Sequence, residues 1–229
     1  MNKSINYRGL FSLLALALLL VSACQQKEPI DKVQDLGYDY FPSEINWEKT
    51  YLVDSIFFND NTQSSDTFQF ILKEETAGFA QAAGLDKHQV LKRSAQFSAT
   101  QNWEPRSSIF VLKTSQNLQW VEDNQRIIKL VFPIGNIQSW NGNALNTQGR
   151  RNFVWQKLNS NHVVLDTNYA ATITVLEARI NNLIEEILIS STYAKNIGLI
   201  DYTNNQLNFQ TSGVSGYKVR QQLISFKRL

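Results

Sequence analysis

Cysteine is nearly missing from this chain: Cys24 is the only one in 229 residues, so no intramolecular disulfide can brace the fold and stability must come from a core. Histidine is almost as scarce. His88 and His162 stand far apart with no cysteine partner, so a zinc site would have to be completed by carboxylates. Each is read as a solvated or hydrogen-bonded side chain, and no metal or cofactor is expected. An excess of either charge is lacking too, at 22 basic against 20 acidic side chains. The basic pairs Lys92-Arg93, Arg150-Arg151 and Lys227-Arg228 are too short to make the cationic patch that nucleic acid requires. No Gly-x-Ser-x-Gly elbow, phosphate loop or dinucleotide fingerprint occurs, which removes the commonest routes to catalysis.

Long apolar runs are missing as well, with one exception. Leu10 to Val21 is almost wholly apolar, follows Lys3 and Arg8, and leads into Ser22-Ala23-Cys24. Basic region, apolar region and small-residue site in that order build a secretory signal. The run is short of the roughly 20 residues that span a bilayer as a helix, which argues against an uncleaved anchor. Val21-Ser22-Ala23-Cys24 resembles the lipobox of bacterial lipoproteins, which implies cleavage after residue 23 and lipidation of Cys24 with palmitate-type acyl chains. Removal of residues 1–23 takes away Lys3 and Arg8 and leaves 20 basic against 20 acidic groups. The expected partner of the mature N-terminus is a membrane, reached through lipid rather than charge.

Polar, aperiodic residues including Pro29 follow, so 24–37 reads as the lipidated cysteine and a flexible tether of about 20 Å mean reach. The remainder, 38–229, is predicted to be one β-rich domain. Trp47 to Phe58, closed by Asn59-Asp60-Asn61, and Thr67 to Lys73, with Phe68, Phe70 and Leu72 on one side, alternate with period two. Further strands are predicted at 85–97, Ser108 to Leu112, Leu118 to Val121 and Ile127 to Pro133. Short ones follow at Phe153 to Trp155, Val163 to Leu165 and Thr172 to Leu176, then longer ones at Leu183 to Tyr193, Ile197 to Tyr202 and Tyr217 to Phe226. Turn chemistry sits at Lys195-Asn196 and Asn204-Asn205, and Asn141-Gly142 predicts a tight type I′ reversal. About ten strands with short turns imply one antiparallel, strongly curved sheet, a half-barrel or barrel, with a sandwich as the alternative and a signal helix in front.

Three stretches carry a family likeness: Gly37-Tyr38-Asp39-Tyr40-Phe41-Pro42 with Trp47, Tyr51 and Val53-Asp54-Ser55-Ile56; Lys129-Leu130-Val131-Phe132-Pro133 leading to Trp140-Asn141-Gly142-Asn143; and Tyr193-Ala194-Lys195-Asn196-Ile197-Gly198-Leu199-Ile200. Together they resemble uncharacterised cell-envelope lipoproteins of Bacteroidota, and the third is similar to a strand-turn-strand signature of periplasm-facing antiparallel-sheet proteins, lipoprotein carriers among them. The likeness implies an envelope address, most readily the outer membrane, and a β-rich body. It implies no activity. Lys27-Glu28-Pro29 departs from the basic-then-paired-acid signal for surface export, so the periplasmic and surface faces both stay open.

Glu74-Glu75 and Glu185-Glu186 are neighbours on strands and point to opposite faces, so neither pair is a catalytic dyad and no catalytic residue is assigned. Trp47, Trp103, Trp120, Trp140 and Trp155 are read first as core and second as a platform for sugar rings or acyl chains. Three functions follow in order. The first is a non-enzymatic binding or accessory module for an envelope protein or glycan, marked by an exposed aromatic patch. The second is a carrier or chaperone for a lipid or other hydrophobic ligand, marked by a closed apolar cavity. The third is a hydrolase, marked by two carboxylates converging in a cleft.

Overall fold

The computed structural model describes residues 35–229, apart from Ser43, Ile45 and 82–86. The expected signal peptide 1–23 and signal helix, Cys24, and the expected tether as far as residue 34 lie outside the described residues, as do positions 85 and 86 of the strand predicted at 85–97. Twelve strands follow a short 3-10 turn at Tyr38–Tyr40: β1 Trp47–Asn59, β2 Ser64–Ala80, β3 His88–Gln96, β4 Glu104–Lys113, β5 Asn117–Glu122, β6 Gln125–Val131, β7 Ser139–Asn141, β8 Asn152–Val164, β9 Thr167–Asn181, β10 Glu185–Ala194, β11 Gly198–Gln210 and β12 Gly213–Arg228. They form one antiparallel sheet in the order β6-β5-β4-β3-β2-β1-β12-β11-β10-β9-β8-β7. The sheet curls until its edges meet, which gives a nearly closed barrel. At the seam the Ile128 N–H donates to the Gly142 carbonyl at 2.9 Å, and the Trp140 indole N–H donates to the Ile128 carbonyl at 2.9 Å. Edge groups that would otherwise invite another chain are thereby used.

Alternation decides the two faces of the wall. Trp47, Lys49, Tyr51 and Val53 of β1 are buried, while Glu48, Thr50, Leu52 and Asp54 between them are not. Register carries that inner face across the neighbours, through the pairs Lys49 with Glu74, Tyr51 with Leu72, and Glu74 with Arg93. On the outer face Lys73 pairs with Glu75 at 3.0 Å and Lys227 with Glu48 at 2.8 Å.

One end of the barrel is plugged. Leu36 accepts from the Ile134 N–H, Lys113 Nζ donates to the Tyr38 and Phe41 carbonyls at 2.6 and 2.8 Å, and the Asp39 carbonyl accepts from the Asn196 N–H at 2.7 Å. These bonds seat Tyr40 and Phe41 in a core shared with Trp47, Leu91, Ile109, Trp120, Leu130 and Phe153. The motif Gly37 to Pro42 is therefore a stopper, and the folded body takes in Leu36 and Gly37, which were expected in the tether. The strands all run antiparallel, so the turns at 60–63, 97–103, 123–124, 182–184 and 211–212 gather at the opposite end.

Several boundaries differ from the sequence reading. Asn204 and Asn205 are not a turn. They sit inside β11, bonded in register to Ile189 and Leu188 on one side and to Val219 and Lys218 on the other. Pairing on both sides overrides their turn preference. Asn141-Gly142 does not make a two-residue hairpin either: Asn141 Oδ1 accepts from the Asn143 and Arg151 N–H groups and so holds a longer loop. A Cβ at Gly142 would lie 2.5 Å from the Phe153 ring, so its glycine serves close packing. The segments predicted at 153–155 and 163–165 join, as far as Val164, into the single strand β8, whose register shifts against β9 hide its periodicity; Leu165 belongs to the turn that follows.

Candidate functional site

Charged residues occupy inner positions of the wall, where apolar side chains would be expected. Lys129 of β6 reaches across the lumen to Glu177 of β9, with Nζ 2.8 Å from both carboxylate oxygens. The Ser191 hydroxyl of β10 donates to Glu177 Oε1 at 2.5 Å. Arg93 of β3 is held by Glu74 at 3.0 Å and Glu122 at 3.5 Å, and its guanidinium lies 5.4 Å from the Trp120 ring centroid. Burial opposes the charge on Arg93, but Glu74 and Glu122 outweigh it and push its pKa further up. Burial, aided by Glu177, pushes the Tyr193 phenol well up and raises Tyr202 as well, so both remain protonated hydrogen-bonding groups.

Between these groups lies a cavity of about 180 Å³, walled by Arg93, Trp120, Glu122, Lys129, Tyr202 and Gln221 among others. Six strands contribute, from both halves of the barrel. Glu122 and Gln125 flank the turn at 123–124, and the Glu122 side chain is 34% exposed, which places the mouth at the unplugged end. Three polar atoms of the lining are buried without a hydrogen-bond partner among the described residues: Trp120 Nε1, Gln221 Nε2 and Gln125 Oε1.

The same end carries an aromatic shelf. Strands β1, β2, β11 and β12 run to 13–17 residues and outreach β3 to β6, which have 6–10, so among the described residues the upper part of their inner face has no strand of β3 to β6 opposite it. Phe57 pairs with Tyr217, Phe68 with Ser55 and Phe70 with Val53, and all share that face. Phe97, just past β3, meets Phe70 at 5.1 Å between centroids. Phe57, Phe68 and Phe97 are 49%, 51% and 41% exposed.

The tryptophans divide unevenly. Trp47, Trp120 and Trp140 are buried, Trp155 packs against the same core, and Trp103 alone stays exposed, beneath the Lys73 ammonium. His162 bonds Asp201 at 2.9 Å, away from the cavity, and His88 lies on β3. Glu74 is buried and Glu75 is not, as their alternation requires; Glu186 pairs with Lys218 at the rim. Of the charges that define the site, Arg93 and Lys129 are read from sequence only as part of a basic pair and of a strand motif, and Glu122 and Glu177 are not singled out. Their signal is parity: Lys129 follows Ile127, and Glu177 follows Ile173 and Val175, each at an inward step. No protein-family model matches the chain, and no curated protein is found similar to it.

Proposed function

We propose that the protein is a bacterial envelope lipoprotein, held to a membrane by lipid on Cys24, whose barrel is a non-catalytic binding or accessory module for an envelope protein or glycan. The observation that carries the reading is the uncovered aromatic shelf of Phe57, Phe68 and Phe97. Large rings left in water on one sheet face cost solvation energy that a partner recovers. The chain enters the body at the plugged end through Leu36, so an anchored barrel has its shelf at the end away from that entry. Against the carrier reading stands the cavity itself, which is small and lined by Arg93, Glu122 and Lys129, whereas an acyl chain requires an apolar one. Glu122 and Glu177 are engaged by Arg93 and by Lys129, which speaks against a free acid and base.

Two outcomes test this. Cys24→Ser should move the protein from the detergent phase to the aqueous phase in a phase-partitioning assay of cells expressing the full chain; unchanged partitioning would refute the anchor. In a Cys24→Ser background, which removes retention by lipid, the double variant Phe57→Ser/Phe68→Ser should lower retention on isolated envelopes at least tenfold, since two hot-spot aromatics contribute about 2 kcal/mol or more. Its melting temperature should hold, because the rings are half exposed. Unaltered retention would remove the shelf from the binding surface.

A further inference from the structure

We infer that the barrel cavity is a binding site for one neutral, hydroxyl-rich small molecule of the size of a single sugar ring. The inference is independent of the shelf. Buried polar atoms left unpaired cost about 1–3 kcal/mol each, so native proteins seldom keep several in one place without something to satisfy them. Here Trp120 Nε1 and Gln221 Nε2 are donors and Gln125 Oε1 is an acceptor, and Trp120 and Gln221 are over nine-tenths buried. A hydroxyl both donates and accepts, so two or three hydroxyls on one ring satisfy all three atoms.

Charge narrows the class further. Every ionic group of the lining already has its counter-ion, Arg93 with Glu74 and Glu122, and Lys129 with Glu177. An anion or cation entering would be desolvated with no free partner, or would have to break one of those pairs, and either is costly. A neutral ligand meets no such penalty. Size sets the upper limit: about 180 Å³ is below the roughly 300–1,000 Å³ of pockets for drug-sized ligands, which excludes an acyl chain or an oligosaccharide held in full. The Trp120 and Tyr202 rings supply the apolar contact that the C–H faces of a sugar require. The Glu122 and Gln125 mouth gives the entry path.

The test is an NMR titration of the full-length lipidated protein in detergent, with indole ¹⁵N label, against glucose, galactose, N-acetylglucosamine, phosphate, acetate and glycine. The expected result is saturable movement of one indole signal with at least one of the sugars and none with phosphate, acetate or glycine. Trp120→Phe should remove that signal, and Gln221→Leu should weaken the affinity about tenfold, the equivalent of about 1.4 kcal/mol for one hydrogen bond. Gln125→Leu, nearer the solvent, provides the second variant if Gln221→Leu fails to fold. Movement with phosphate, acetate or glycine and not with sugars would overturn the neutral class. No movement with any compound at about 50 mM, weaker than millimolar binding, would leave the cavity to water and overturn the site.

Discussion

Glu177→Gln should lower the free energy of unfolding by about 3–5 kcal/mol, the cost of removing one member of a buried ion pair. Lys129 and Glu177 are both buried, and the carboxylate takes two contacts from Lys129 Nζ and one from the Ser191 hydroxyl. The amide keeps the shape of the side chain but presents a single oxygen and no charge, so the ammonium is stranded among Trp120, Phe153 and Tyr202, whose ring centroids lie 5.7 to 6.0 Å away. Ring faces attract a cation by about 2 kcal/mol at most when desolvated, which does not replace a carboxylate. The melting temperature should fall by roughly 10 °C, at about 2–4 °C per kcal/mol for a chain of this size. Lys129→Met/Glu177→Leu should recover most of that loss, because removing both charges also removes their desolvation cost. Urea unfolding of the single and double variants, with unchanged slopes, measures it. A single variant within 1 kcal/mol of the parent would mean that water reaches the pair.

That interior charge also marks where the sequence could and could not be read. Alternation along 47–58 and 67–73 is legible because one side of each strand is buried, and β1 and β2 lie there. It fades where a strand outruns its core: Ser64-Ser65-Asp66 of β2 and Asn204-Asn205-Gln206 of β11 are polar, yet ladder bonds on the neighbouring strands keep them extended. The three-residue β7 has no periodicity to find, and its place is fixed by the Trp140 indole bond to Ile128, a contact set by barrel closure. The same closure makes the site. Arg93, Glu122, Lys129 and Glu177 are scattered over 85 positions and meet only once β3, β5, β6 and β9 face one another across a lumen. Parity would have pointed each of them inward, but nothing local says which inward charge meets which.

Lys49→Met should raise stability by about 3 kcal/mol near neutral pH, and the wild-type pH profile should show why. The Lys49 side chain is fully buried, and its Nζ, 4.2 Å from the Trp47 ring centroid, has no hydrogen-bond partner among the described residues. It fills space left by Gly198, where a Cβ would lie 2.8 Å from it. Burial lowers its pKa from 10.5 to about 8, only partly offset by Glu74. Below about pH 8 the folded and unfolded chains both carry the proton, and folding bears the whole desolvation cost, about 3 kcal/mol at about 1.4 kcal/mol per tenfold. Between about 8 and 10 the unfolded chain binds more protons than the folded one, so stability climbs with pH. Above about 10 the trend should reverse, because burial pushes the Tyr51 and Tyr193 phenols up and only the unfolded chain then ionises there. Methionine keeps the length and the ring contacts and has no proton to lose, so Lys49→Met should climb less steeply than the wild type from pH 8 to 10, keeping only the smaller rise from the half-buried Lys113, whose pKa burial also lowers, and the two should draw together toward its upper end. Chemical unfolding at four pH values separates the cases. A wild-type profile that is level across this window would mean that the ammonium has solvent or a partner, and the gain from methionine should then vanish with it.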